Sequence, residues 1–328
     1  MKAYVVNKWL KGPDELVLSD NVPIPEPKKG ELQVQVKAVG LNFFDTLMIQ
    51  GRYQIKPPFP FVPGGEFSGI VLKSTVPNYK PGDRVFGSGY SFAEVITVDA
   101  DKVLPIPKNF SFEDSAGLYI TWPTSYAALV LRAQLKAGEY CLVHAAAGGV
   151  GIAAVQIAKA LGAKVIATAG SQDKLDIAKR FGADYAINYR DKDWTNQVKK
   201  ITNGHGADVV YDPVGLVEES TKCTAWNGRI IVVGFAKGNF EKLPTNRVLL
   251  KNISIVGVHW GAYAKNEVKS IPKVWKALFE LFESGKVKPA LYHKVYQLST
   301  IPQGMNAINN RETYAKVVAT VDSRESKI

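Results

Sequence analysis

Tyr140-Cys141-Leu142-Val143-His144-Ala145-Ala146-Ala147-Gly148-Gly149-Val150-Gly151 is the stretch that decides the fold. Its first residues form a short apolar run typical of a buried strand. Beyond the glycines, Val150, Ala153, Ala154, Ile157, Ala158 and Leu161 recur at helical spacing. A strand that passes through a glycine turn into a helix is a βα unit, and the free N–H groups at such a helix start face an anion. The pyrophosphate of a dinucleotide is the natural ligand. Measured against G-x-G-x-x-G, the first glycine is replaced by Ala146. Gly148 allows close backbone approach and Gly151 allows the helix to pack tightly on the strand. Ala147, Gly148, Gly149, Val150 and Gly151 are therefore candidate cofactor contacts, the alternative being a glycine-rich turn that holds no ligand.

Outward from this unit, strand signals follow at Lys164–Ala169, Asp184–Asn188, Asp208–Asp212, Arg229–Val233 and Ile253–Val258, with helical segments between most of them. Six such strands suit an α/β fold with a doubly wound parallel sheet. Before residue 120 the texture differs. Short β-branched and aromatic runs at Leu32–Val39, Gly69–Lys73, Asp83–Phe86 and Phe92–Val98 are broken by Pro and Gly, as in a partly antiparallel β lobe. A helix is expected from near Pro272 to Gly285, with Lys269, Lys273 and Lys276 on its wet face. The strand-like Lys294–Leu298 and Ala315–Val321 are expected to complete the first lobe.

The end of the second strand bears on which dinucleotide is bound. NAD enzymes of this type place Asp or Glu there to bond the ribose 2′-hydroxyl; this chain reads Ala169-Gly170-Ser171. No carboxylate repels a 2′-phosphate, Ser171 offers a hydroxyl and Lys174 a positive charge from the start of the next helix. NADPH is the expected cofactor, with Gly170, Ser171 and Lys174 in its site. Ser171 also suits a plain helix cap, and Lys174 a surface position.

These residues, together with Ala145–Ala163 and Tyr211-Asp212-Pro213-Val214-Gly215, resemble the quinone oxidoreductase (zeta-crystallin-like) branch of the medium-chain dehydrogenase/reductase superfamily. The resemblance covers nearly the whole chain. It includes Gly40-Leu41-Asn42-Phe43-Phe44-Asp45, Pro63-Gly64-Gly65-Glu66 and Lys80-Pro81-Gly82-Asp83-Arg84-Val85, in the family's order. It implies a mostly β, GroES-like catalytic domain made from both chain ends (1–120 and 260–328) and a central NADP-binding Rossmann domain (121–259). It also implies a cleft for nicotinamide and substrate, and a homodimer joined through the Rossmann domains. By the same resemblance Tyr189 and Arg311 join Lys174 around the 2′-phosphate, and backbone at Gly234-Phe235 and His259-Trp260 lines the nicotinamide side. Within Arg311-Glu312-Thr313-Tyr314-Ala315-Lys316, Ala315 departs from the Gly that many relatives carry.

Zinc alcohol dehydrogenases of the superfamily hold their metal with a thiolate and an imidazole. Here those positions read Asn42 and Gly65. The histidines at 144, 205, 259 and 293 are not at ligand spacing, and no four-cysteine lobe exists. No metal is expected. Without a Lewis acid, the chemistry suits acceptors that take hydride readily, namely quinones and α,β-unsaturated carbonyls, with an enoyl-thioester or alkenal reductase as the alternative. Candidate catalytic residues are Asn42 as an amide donor, Tyr53 as a phenol donor of a hydrogen bond or proton, and Thr124 as a hydroxyl near the nicotinamide. Asp45 is expected to orient its neighbours or to close a contact between the lobes, with a structural role as the alternative, and Tyr53, in a Pro-rich loop beside Gly51 and Arg52, has simple packing as its alternative. Loops at Gln50–Phe61 and Tyr90–Phe92 are expected to shape the substrate pocket.

Composition agrees with a globular enzyme of 328 residues, 46% hydrophobic, without an apolar run long enough to span a membrane. The chain opens directly on strand-like residues and is expected to be unexported and cytoplasmic. The ending Ser326-Lys327-Ile328, one residue from Ser-Lys-Leu, makes the peroxisome the alternative address. Cys141 and Cys223, one in a strand pattern and one in a helix-like segment, make neither a disulfide framework nor a metal motif. The formal charge of +11 is spread along the chain. Some zeta-crystallin relatives bind RNA, and this charge is compatible with that, yet nothing resembles an RNA-recognition motif or an arginine patch.

Overall fold

A computed structural model describes residues 1–238 and 240–321; Ser326-Lys327-Ile328 lies outside them. The chain divides into two compact units, Met1–Ile120 with Pro289–Ile328, and Thr121–Lys288. The second boundary thus falls after Lys288 and not at 259/260. The reason is the helix Ser270–Glu283, which buries Val274, Trp275, Leu278 and Phe282 within the second unit. Phe282 sets its ring edge-on to Trp122, with centroids 4.7 Å apart.

In chain order the sheet of the first unit begins with β1 (Glu31–Leu41), β2 (Glu66–Ser74), β3 (Arg84–Ser88), β4 (Val95–Asp99) and β5 (Val103–Pro105). The second unit contributes β6 (Tyr140–Val143), β7 (Lys164–Ala169), β8 (Tyr185–Asn188), β9 (Ala207–Asp212), β10 (Thr224–Val232) and β11 (Ser254–Gly257). The chain then returns to the first unit with β12 (Tyr296–Gln297) and β13 (Val317–Thr320).

All six strands of the second unit are parallel, in the order β8-β7-β6-β9-β10-β11. The direction of winding reverses between β6 and β9, the place where doubly wound sheets open a ligand crevice at their carboxyl ends. β7 and β9 are buried almost throughout, as strands covered on both faces must be. The helix Gly149–Ala160 buries every residue from Gly151 to Ala158. Leu142, Ile166, Val210 and Ile230 pack with Trp194 and Val198 on one face of this sheet.

The first unit is mostly antiparallel, in the order β12-β13-β1-β2-β3-β5, with β4 also on β1. β1 is long enough to pair with β4 along its first half and with β13 along its second, so the C-terminal strand closes a sheet begun near the N-terminus. Alternate residues Leu32, Val34 and Val36 enter the main core with Phe67, Phe92 and Val98. Cys223, expected in a helix, lies in the turn before β10 because the short helix Val217–Ser220 ends first. Both cysteines are buried and free, and burial pushes each thiol up to about 12.

Candidate functional site

Within the second unit, the cofactor candidates lie at the carboxyl ends of the parallel strands. Ala145 leaves β6 with φ +46°, and Gly148 caps the helix that follows. The first-turn N–H groups of Gly149, Val150 and Gly151 have no carbonyl of their own helix to bond. A side chain on Gly151 would strike the carbonyl oxygen of Ala145 and come within 2.8 Å of the Ala146 Cα, so the close helix approach requires glycine there. Ser125, which sequence reasoning missed, fastens this turn. Its hydroxyl donates to the Val150 carbonyl at 2.9 Å and lies 2.9 Å from the Tyr211 hydroxyl. Thr124 precedes it on the same short helix, Thr121–Tyr126.

Gly170 and Ser171 follow β7, and the β7–β8 register, which pairs Ala169 with Asn188, brings Tyr189 beside them. A Cβ on Gly170 would lie 2.8 Å from the Tyr189 Oη and 3.3 Å from the Arg190 Nε, so the ends of both side chains stand at this end of β7. Ser171 is the N-cap of Gln172–Arg180, yet its hydroxyl makes no capping bond; Lys174 lies in the first turn. Gly234 and Phe235 follow β10. The buried Asp212 holds the neighbouring loop by accepting N–H groups from Val214, Gly215 and Leu216 at 2.8, 2.9 and 2.6 Å. His259, exposed, and Trp260 follow β11. Arg311 belongs to the first unit, where it adopts φ +60°.

The catalytic candidates of the first unit form a polar row across three strands. Register places Gly40 opposite Glu66 and Leu41 opposite Val317, which sets Lys316 and Glu66 on either side of Asn42. The Lys316 Nζ donates to the Asn42 Oδ1 at 2.6 Å and pairs with the Glu66 Oε1 at 2.5 Å. Glu66 is fully buried and accepts the Ile120 N–H on its other oxygen at 3.0 Å. The ammonium crosses directly over Gly40, where an added Cβ would lie 2.8 Å from both the Lys316 Cε and the Glu66 Oε1.

Asn42 departs from the expected amide donor. Its Nδ2 donates to the Glu66 Oε1 at 3.0 Å and to the Gly40 carbonyl at 3.3 Å, so its hydrogens are already directed within the row. The fully buried Asp45 accepts the Asn42 backbone N–H at 2.8 Å, while its Oδ1 has no partner. Burial raises its carboxyl to about 7 against the opposing pull of that N–H and of Lys316. Tyr53 stacks on Phe44, with centroids 5.2 Å apart, and burial followed by the Asp45 charge raises its phenol, which keeps it protonated. Of the expected pocket loops, Phe59, Phe61 and Tyr90 form a chain of ring contacts that Trp9 joins from the N-terminus.

These residues do not fit zinc. The Asn42 and Glu66 oxygens are engaged by an ammonium, and a side chain on Gly65 would collide with the Phe44 ring. Among the described residues no group of three or more His, Cys, Asp or Glu is placed to hold a metal, and no helix is long and apolar enough to cross a membrane.

Comparison with known proteins agrees with both units. The family "Alcohol dehydrogenase GroES-like domain" matches residues 28–108 and "Zinc-binding dehydrogenase" matches residues 149–283. The quinone oxidoreductase-like protein 2 homolog of Nematostella vectensis is 37% identical over 311 residues, which cover 92% of this chain and 85% of that one. The quinone oxidoreductase of Escherichia coli, solved in complex with NADPH, superposes with a TM-score of 0.86 at 32% identity, over 98% of this chain and 100% of that one. A structure described as an NAD-dependent alcohol dehydrogenase gives the same TM-score, identity and coverage. With a GroES-like unit, a Rossmann unit and relatives of this kind, the chain belongs to the quinone oxidoreductase branch of the medium-chain dehydrogenase/reductase superfamily.

Proposed function

We propose that this oxidoreductase works without zinc and transfers hydride from NADPH to a quinone or an α,β-unsaturated carbonyl. The observation that carries the reading is the Lys316 ammonium held between Glu66 and Asn42, with Phe44 closing the space beside Gly65. A site built in this way has no Lewis acid to polarise an alcohol oxygen, so it favours acceptors that take hydride readily.

NADPH supplies the hydride when bound. Ala147, Gly148, Gly149, Val150 and Gly151 present the helix start to its pyrophosphate. Gly170, Ser171, Lys174 and Tyr189 receive the 2′-phosphate, and Gly234, Phe235, His259 and Trp260 line the nicotinamide side. Tyr53 donates to the acceptor oxygen as it gains charge, and Thr124 orients the nicotinamide. Asn42 and Asp45 hold the helix Phe43–Ile49, and with it Phe44, in place.

The enzyme acts as a homodimer through its second unit. β11 is an open sheet edge, and Leu249 and Leu250, 78% and 70% exposed on the adjoining helix, leave an apolar surface that association would cover. Steady-state kinetics with NADPH against a quinone, an enone and an enoyl-CoA test the substrate assignment. The quinone or enone should give the highest kcat/KM; a maximum on enoyl-CoA would reverse the order.

A further inference from the structure

Arg190 follows Tyr189 at the end of β8, and nothing in the sequence distinguishes it from any other surface arginine. Its backbone is anchored by N–H donation to the Asn188 Oδ1 at 3.0 Å, and that of Tyr189 by donation to the Ala169 carbonyl at 3.1 Å. The guanidinium approaches the Gly170 backbone beside the Tyr189 hydroxyl. Among the described residues the Arg190 guanidinium, the Tyr189 hydroxyl and the Ser171 hydroxyl have no hydrogen-bond or ion-pair partner. The Tyr189 hydroxyl and the Arg190 guanidinium thus stand together at the end of β7, with Ser171 next in the chain to Gly170.

We propose that Arg190 decides the choice between NADPH and NADH by pairing its guanidinium with the 2′-phosphate, an inference that rests on the NADPH reading above. A planar guanidinium matches phosphate oxygens two at a time, whereas Lys174 offers a point charge. Among the described residues no carboxylate pairs with Arg190, which leaves its charge to an incoming phosphate. Arg311 lies in the other unit, whereas Arg190, Tyr189 and Ser171 are brought together by the β7–β8 register alone. On this assignment Arg190 is the principal cation of the phosphate site.

Dissociation constants for NADPH and NADH, measured by calorimetry on the intact protein and on R190A, R190K and R311A, test the assignment. The parent should prefer NADPH. R190A should weaken NADPH binding by about ten-fold or more while shifting NADH by less than about two-fold. R190K should fall between parent and R190A, and R311A should lose less than R190A. Equal losses for both cofactors, or an unaltered NADPH affinity in R190A, overturn the role of Arg190 and leave the NADPH reading standing. A parent that prefers NADH overturns the NADPH reading itself, and the assignment with it.

Discussion

Ala315 lies at φ +50° and Arg311 at +60°, left-handed conformations in which a side chain crowds its own carbonyl. The sequence marks Ala315 as a departure from glycine, and the backbone supplies the reason glycine suits the position. Ala315→Gly should raise stability by up to roughly 1 kcal/mol in denaturant unfolding, the relief of the left-handed strain less the added chain entropy. A destabilised variant would mean that the surrounding strand tolerates the methyl group at no cost. Tyr53 carries the sharper functional test. Tyr53→Phe should lower kcat/KM by about 100-fold without lowering the unfolding midpoint, as expected for a lost proton donor; unchanged kinetics would return Tyr53 to a packing role. Arg190 and Ser125 were illegible at this scale in the sequence, because what distinguishes them is the strand or helix they face.

The polar row of the first unit is a property of strand register. Motif reading singles out Asn42 and Glu66 but cannot pair them with Lys316, some 250 residues away, without the β13–β1 and β1–β2 alignments. The strands of the second unit were easier to read, since apolar runs and the glycine turn are local signals. Two consequences follow from the row. Lys316→Met leaves the buried Glu66 charge unpaired and should cost roughly 3–5 kcal/mol of stability, most of it recovered when Glu66→Gln is added. A loss below about 1 kcal/mol in the single variant would show the pair to be dispensable. Asp45, held at about 7, binds its proton more tightly in the folded chain than at the usual unfolded value of ~4. Its stabilising contribution is fully present below about pH 4 and is lost as pH rises through 7. Thermal melts of Asp45→Asn should therefore show an advantage over the parent that grows from pH 5 to pH 8; an advantage flat in pH would contradict the raised carboxyl.

Over the whole molecule, the order of textures along the chain, β-rich, then α/β, then β-rich again, is visible in the sequence. The return to the first unit lies about thirty residues beyond the boundary expected from sequence, because the helix Ser270–Glu283 gives no local sign that Phe282 packs on Trp122. Association is also a whole-molecule property. Sedimentation should find a dimer, and the L249E/L250E double variant should shift toward monomer; a monomeric parent would remove the proposed interface. The central claim, that an ammonium-filled row replaces metal in an NADPH-dependent reductase, is tested most directly by NADPH-linked quinone turnover in protein stripped of metal by a strong chelator. Turnover should be undiminished and indifferent to added Zn²⁺; loss of turnover, restored by Zn²⁺, would contradict the account.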